Sequence, residues 1–489
     1  MKRVGSRRRQ FTRAPLLRYK PLESPCFEAL DSSTLRLPAT FLVKGNIPRD
    51  PQSQAARLST QFIRQNRGAL NDFGVFLDSD YDGNSTDLVF RMSTKIGAVP
   101  LLSPTTGKPD YGLVVKPRFG WNGIGPMLGE MGWRIIPTPL KLPLLPRSDK
   151  KVPPWVLSTI VLFRIKAMLD HLERRFEFNE TDLQAPRGTV NWSCYAMSRI
   201  PATRFLDVPC RYPDLRDDQE LKSAIHFTLK KQLASLETQR IAGTAVMQLI
   251  SLCQSLLQKV NNYSPKKPTS LAINSWYKGS FRTEVFRDGL QAVEWTNDER
   301  GLAGIGDFEG LPWVMCMENF FEAWLETVIE ALIKKIGGTL RTGRKRETIS
   351  SLAWNPPYMG SQKYLLPDLV LERENETIII DAKYKGHWEE MNKDNWVNLN
   401  DELRRQHRAD LLQVLAYSTI FSTKKVVVCL AYPCKIETWM SLKKRARLHH
   451  HAQLSNENRR IDVILTAVPM MAGVEQVAQS LLEAIKETP

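Results

Sequence analysis

Residues 364–385 read YLLPDLVLERENETIIIDAKYK. Two apolar runs, Tyr364 to Glu372 and Thr377 to Tyr384, flank a short polar turn from Arg373 to Glu376, the pattern of a β-hairpin. Each run is interrupted by an acid, Asp368 in the first and Asp381 in the second, and Lys383 follows two residues after Asp381. Residues two apart in a strand share a face, so Asp381 and Lys383 stand side by side. The hairpin brings Asp368 near them. Burying two acids and a lysine among isoleucines is costly without a tight network or a chemical task. A hard divalent cation takes oxygen ligands, usually one or two carboxylates plus waters. A neighbouring ammonium can steady negative charge as it develops on a phosphate. Two acids and one lysine are thus a minimal phosphodiester hydrolase held by Mg²⁺, with Mn²⁺ as the alternative ion. The competing reading is an ion-paired hairpin with no chemistry.

Working outward, a strongly periodic helix is expected from Cys316 to Ile336, with Glu318, Glu322 and Glu326 at i, i+4 spacing and Phe320, Phe321, Trp324 and Leu325 on its apolar face. Gly337 and Gly338 stop it. The basic run Arg341 to Arg346 follows, and Arg341, Arg344, Lys345 and Arg346, with Lys385, are candidate phosphate contacts. After the hairpin come a helix from about Asp401 to Phe421, strands at Lys425 to Tyr432 and Ile461 to Val468, and a last helix over Val474 to Lys486. Gln413 and Tyr417 lie one turn apart on the first of these helices and offer hydrogen bonds. His387 and Trp388 follow the second strand as a structural loop, and His449 to His451, after Lys443, Lys444, Arg445 and Arg447, read as a basic loop near DNA.

The remaining chain divides by composition. Residues 1–34 read as a basic disordered arm, with eight Lys or Arg and no acid in the first twenty positions. Residues 35–140 carry short apolar runs broken by Gly and Pro, a small β-rich domain and a candidate partner-binding region. The glycine-rich stretch Gly120 to Gly132 lacks the spacing of a dinucleotide fingerprint and is expected to be a turn-rich loop. Residues 141–154, with four prolines, read as a linker, and 155–310 as a mainly helical domain. One helix there carries Leu221, Ile225, Leu229, Leu233 and Leu236 after Asp217 and Asp218; another runs from Ile241 to Val260. Residues 311–489 are the C-terminal α/β unit. The whole is a multidomain α+β protein.

The net charge of +16 favours a polyanionic partner. Seven cysteines without a CxxC pair argue against a disulfide framework, a zinc ribbon or an iron–sulfur cluster. The longest apolar runs, such as Thr159 to Phe163 and Val426 to Tyr432, fall far short of the ~18 residues of a spanning helix, and no apolar stretch with a cleavage site follows the basic N-terminus. No membrane contact and a cytoplasmic location are therefore expected.

These elements together resemble the PD-(D/E)XK (restriction-endonuclease-like) nuclease superfamily: Pro367-Asp368, then Asp381-Ala-Lys383, then Gln413-x-x-x-Tyr417, which matches the QxxxY motif of its RecB-like branch. The wording is closer still to the McrC-like nuclease subunits of McrBC-type restriction systems. It is carried by Met317-Glu-Asn-Phe-Phe321-Glu322-Ala-Trp324, Asp381-Ala-Lys-Tyr-Lys385 and Asp410-Leu-Leu-Gln413-Val-Leu-Ala-Tyr417, with Arg187-Gly188 and Pro209-Cys210-Arg-Tyr212 upstream. The resemblance spans about residues 155 to 435. It implies Mg²⁺-dependent double-strand DNA cleavage, with Asp368, Asp381 and Glu322 as metal ligands, Lys383 stabilising the transition state, and Gln413 and Tyr417 supporting the phosphate. It also implies a separate AAA+ GTPase, McrB, that recognises and translocates DNA. No GxxxxGK[ST] is present, so a motor would be another polypeptide. Two alternatives stay open: a stand-alone RecB-like repair or recombination nuclease, and a catalytically inactive DNA-binding adaptor.

Overall fold

The computed structural model describes residues 26–43, 50–82, 85–143, 154–172, 175–216, 218–278, 283–297, 312–358, 360–389, 401–456 and 459–486. The expected arm up to residue 25 and most of the expected linker, residues 144–153, lie outside these.

The chain begins with β1 (Cys26–Leu30) and β2 (Thr34–Pro38), joined by a turn containing Asp31. The arm assigned to 1–34 is corrected here: Cys26 to Leu30 pair in parallel with Gly112 to Lys116. A 23-residue helix, α1 (Pro51–Phe73), follows; the β-rich reading of 35–140 lacked it. Asp50 caps it by accepting from the amides of Gln52 and Ser53, Pro51 suits its first turn, and Gly74 ends it in the left-handed region. Its apolar stripe is narrow, Ala55, Leu58, Phe62, Leu70 and Phe73, and packs into a local core with Phe27, Phe90 and Tyr111. Then come β3 (Val75–Tyr81), β4 (Thr86–Met92), β5 (Lys95–Leu101), β6 (Tyr111–Lys116), α2 (Ile124–Glu130) and β7 (Thr138–Pro139). The expected turn-rich loop at Gly120–Gly132 thus contains a helix. A glycine is required where that helix begins, because a Cβ on Gly123 would lie 2.1 Å from the carbonyl oxygen of Met470.

The middle region comprises α3 (Pro154–Asp170), β8 (Arg175–Leu183), β9 (Thr189–Val190), the short α4 (Trp192–Cys194) running into a π-turn over Tyr195–Arg199, β10 (Val208–Arg216), α5 (Gln219–Glu237), α6 (Thr244–Val260), α7 (Ser270–Lys278) and α8 (Glu284–Asn297). The Asp218 carboxylate caps α5 through the Leu221 amide. The strands form a separate antiparallel sheet in the order β8-β10-β9, which the mainly helical expectation did not contain.

β11 (Trp313–Cys316) pairs antiparallel with β5, Trp313 opposite Ala98, and completes the N-terminal sheet β1-β6-β5-β11-β7. The boundary expected at 311 therefore does not separate two units: the strand that opens the last segment belongs to the first sheet. α9 (Met317–Ile336) follows with no intervening loop. Next are β12 (Thr339–Thr342), β13 (Ser350–Ser351), β14 (Tyr364–Leu365), β15 (Leu369–Glu372), β16 (Glu376–Ala382), α10 (Asp401–Ser418), β17 (Lys425–Cys434), α11 (Ile436–Lys444), β18 (His449–Asn456), β19 (Arg459–Pro469) and α12 (Val474–Lys486). The six-stranded sheet runs β12-β15-β16-β17-β19-β18. Ile378 and Ile380 face the core shared with α9 and α12, while Ile379, Val426 and Val428 face α10 and α11. The sheet is buried on both faces, as its unbroken apolar strands require.

His449 to His451 form no loop; they begin the edge strand β18, paired with Ile464 to Thr466. His449 turns inward, its Nδ1 2.9 Å from Thr466 Oγ1. No helix among the described residues is long and apolar enough to cross a membrane.

Candidate active site

Pro367 and Asp368 interrupt the chain between β14 and β15, and the carbonyls freed there find local donors. Thr348 Oγ1 donates to the Pro367 carbonyl at 2.6 Å, and the Gly343 amide to the Asp368 carbonyl at 2.7 Å. The approach is close: a Cβ on Gly343 would lie 2.8 Å from the Pro367 oxygen. Asp368 is thereby turned toward β16, where its Oδ2 accepts from the Ala382 amide at 2.8 Å.

Asp381 sits at the end of β16 and is 1% exposed. Its carboxyl lies close enough to that of Asp368 for the charge of Asp381 to push Asp368 up, so the two acids meet at the end of the hairpin. Lys383 Nζ lies 2.6 Å from Asp381 Oδ2 and donates to Gln413 Oε1 at 2.9 Å. Gln413 Nε2 in turn donates to the Tyr417 hydroxyl at 2.6 Å. The hairpin, the lysine and one face of α10 therefore converge.

Electrostatics follow from burial. Asp368 is held well above the usual carboxylate range by desolvation, with the charges of Asp381 and Glu322 adding to it. Asp381 is also raised by desolvation, against the opposing pull of Lys383. Glu322, on α9, is pushed up to about 7 by burial, with Glu326 and Asp381 adding and Arg344 opposing. For Lys383, burial works to lower the pKa, but Asp381, Asp368 and Asp410 outweigh it and raise it overall.

Of the other acids on α9, Glu318 is exposed, Glu326 is buried in ion pairs with Arg134 at 3.2 Å and Arg344 at 3.3 Å, and Glu330 pairs with Arg134 at 2.5 Å. Only Glu322 faces the acid pair. The basic run divides as well. Arg341 pairs with Glu372 at 2.9 Å and donates to the Glu347 carbonyl, while Arg344 serves Glu326. Lys345 and Arg346 are exposed, with Lys345 Nζ 3.9 Å from Glu326 Oε1. Lys385 is held by both oxygens of Asp410 at 2.7 and 2.8 Å.

Sequence reasoning passed over a second layer. Asp410 is buried and also accepts from the Tyr432 hydroxyl at 3.1 Å. His387, read as loop, stacks against both His407 at 4.8 Å and Tyr432 at 4.6 Å, and burial lowers its pKa to about 4. The one signal available was that Asp410 precedes Gln413 by three residues, on the same helical face.

Among the described residues no group of three or more His, Cys, Asp or Glu side chains is already gathered as a metal cage. The donor set nonetheless suits a hard dication. Asp368, Asp381 and Glu322 are each raised chiefly by burial, with neighbouring carboxylates adding to it, and a divalent cation would favour their ionised forms.

The family described as McrBC 5-methylcytosine restriction system component matches residues 147–433. No curated protein matches the chain. Two solved structures share 11% and 12% identity with it. One is a chain of the refined half-complex from a tetradecameric assembly of Thermococcus gammatolerans McrB AAA+ hexamers with bound McrC, covering 94% of this chain and 99% of that one at a TM-score of 0.40. The other is the cryo-EM structure of the Thermococcus gammatolerans McrBC complex, covering 63% and 88% at a TM-score of 0.27.

Proposed function

The chain belongs to the family of McrBC 5-methylcytosine restriction system components, and from that premise we propose that it is the McrC-like, metal-dependent DNA endonuclease subunit of such a system. The observation that carries this is the meeting of Asp368, Asp381 and Lys383 at the end of one buried hairpin. We read the arrangement as that of a PD-(D/E)XK domain, with Glu322 as the third acid.

Asp368, Asp381 and Glu322 would hold Mg²⁺ (or Mn²⁺), which when bound lowers the pKa of water and neutralises charge on a scissile phosphate. Lys383 keeps its proton at neutral pH and presents a fixed positive charge beside the acids, placed to steady the phosphate as negative charge grows. Gln413 and Tyr417 were expected to support the phosphate. Their geometry suits them instead to hold Lys383, since the carboxamide oxygen is spent on the ammonium and the carboxamide nitrogen on the phenol. Lys345 and Arg346 remain as phosphate contacts on the rim.

An AAA+ GTPase partner is part of the proposal, because the chain carries no phosphate-binding loop of its own. The limb built on β8, β9 and β10 offers a surface for it. Trp192, Met197 and Leu206 are 67%, 77% and 70% exposed there, alongside Phe205, and clustered exposed apolar side chains mark interaction surfaces.

A plasmid assay of the purified chain with Mg²⁺, with and without the candidate GTPase and GTP, tests the reading. Cleavage that needs the GTPase supports it. Cleavage without any motor moves the chain to the stand-alone RecB-like class, and DNA binding with no cleavage under any condition leaves the inactive adaptor.

A further inference from the structure

The backbone leaves the six-stranded sheet at Lys383. The β16 ladder ends at Ala382, the Lys383 amide still reaches the Ala431 carbonyl at 2.9 Å, and Lys385 turns back to the Lys383 carbonyl at 2.7 Å. The residue between, Tyr384, is gripped from a different part of the molecule. Arg118, just after β6, donates from Nη2 to the Tyr384 carbonyl at 2.8 Å, and its guanidinium carbon lies 4.6 Å from the centre of the Tyr384 ring. Asp31, in the β1–β2 turn and 1% exposed, fixes that arginine. Its Oδ1 accepts from the Arg118 amide at 2.6 Å, and its Oδ2 lies 3.4 Å from Arg118 Nε.

The same ring touches the other half of the site. Tyr384 packs against Phe321, the neighbour of Glu322, with ring centres 6.3 Å apart, and against Phe119 at 5.6 Å. The N-terminal sheet therefore holds both partners of the reaction. Through β11 it leads directly into α9 and Glu322; through Arg118 it holds the backbone next to Lys383.

We propose that Arg118 is a positioning residue for Lys383, acting through the Tyr384 backbone and fixed by Asp31, so that the N-terminal sheet sets the spacing between Lys383 and Glu322. The inference rests on the nuclease reading for its activity measurement. Arginine is required by geometry: its planar fork meets Asp31 and the Tyr384 carbonyl at once while its face lies on the ring, which an ammonium cannot do. Stability alone does not account for the arrangement, because a buried ion pair of this kind is commonly matched by apolar side chains of equal volume.

The test uses the full chain carrying Arg118→Lys, with Asp31→Asn as a milder second variant that keeps an acceptor for the Arg118 amide. Three quantities are compared with wild type: hydrogen exchange over residues 376–389, acylation of Lys383 read by mass spectrometry, and single-turnover cleavage against DNA affinity. Exchange at Tyr384 and Lys385 and labelling of Lys383 are expected to rise several-fold while β17 and β19 stay protected. Cleavage should fall on the order of 10- to 100-fold, as for a displaced reacting group, with DNA affinity changed by less than about twofold. Unchanged labelling of Lys383 in both variants overturns the proposal, as does faster exchange with undiminished cleavage. If wild type cleaves no DNA even with Mg²⁺, the candidate GTPase and GTP present, the nuclease reading fails by itself, and the exchange and labelling patterns still decide whether Arg118 positions Lys383.

Discussion

Lys383 Nζ donates to Gln413 Oε1 at 2.9 Å, a bond that crosses from the end of β16 to the middle of α10. It leaves the ammonium held from two sides, by Asp381 and by a carboxamide that the Tyr417 hydroxyl anchors in turn. Removing the carboxamide with Gln413→Ala takes away a hydrogen bond to a charged group, worth about 1.5–3 kcal/mol. If that energy goes into holding Lys383 for the transition state, single-turnover cleavage falls roughly 10- to 100-fold with little change in DNA affinity. Tyr417→Phe removes only a neutral bond and should cost a few-fold. Equal losses in the two variants would contradict the relay.

The β15–β16 hairpin is legible in the sequence because its signal is local: an acid breaking an apolar run is conspicuous, and period two fixes which neighbours share its face. What the sequence hid is long-range or low in contrast. Arg118 and Tyr384 are 266 residues apart and neither sits in a distinctive pattern. β11 is four residues long and has meaning only opposite β5. α1 shows a thin apolar stripe on a polar helix, easily lost among the apolar strands around it. His449 to His451 hold a strand whose residues are not apolar, so alternation could not reveal it; pairing with β19 does that work.

Asp368→Asn should separate stability from activity. The carboxyl is raised by burial and by the charges of Asp381 and Glu322, so its ionised form is under repulsion. An asparagine oxygen can still accept from the Ala382 amide that now bonds Oδ2. In EDTA the variant is expected to melt at or above the wild-type temperature, while Mg²⁺-dependent cleavage is abolished. A marked fall in melting temperature would mean that the charge stabilises the fold and that the cost of burying it is met inside the protein.

The pH dependence of stability carries a sign for Glu322. Its folded pKa, about 7, lies above the ordinary glutamate value of 4.5. The fold therefore binds a proton more tightly than the unfolded chain. This contribution is fully present below about pH 4.5 and lost as pH rises through about 7. His387, lowered to about 4, works in the opposite sense, contributing above its ordinary 6.5 and losing that contribution as pH falls toward 4. The wild-type curve alone mixes the two. The difference in melting temperature between wild type and Glu322→Gln, measured in EDTA from pH 4.5 to 8, isolates the glutamate. Wild type should lose ground to the variant as pH rises. Saturating Mg²⁺ should flatten the difference, because an ion held by the carboxylate takes the proton's place.

Gly343 makes a last prediction, about geometry and not charge. Its amide holds the Asp368 carbonyl at 2.7 Å, and a Cβ there would stand 2.8 Å from the Pro367 oxygen and 3.3 Å from Asp368 Cα. Those are backbone atoms that cannot swing aside like a side-chain tip. Gly343→Ala must therefore shift the Pro367–Asp368 turn or open the amide bond. Both displace the Asp368 carboxyl from Asp381, and overpacking of this kind typically costs about 1–3 kcal/mol. The expected outcome is a lowered melting temperature together with weaker Mg²⁺ dependence of cleavage, read as a rise in the metal concentration needed for half-maximal rate. Gly360→Ala is the control: it has nothing within 4 Å of its added Cβ, although its φ of +88° makes any side chain there strained. It should lower stability without moving the metal requirement. If both variants shift that requirement alike, the turn at Asp368 is not what sets the metal-binding geometry.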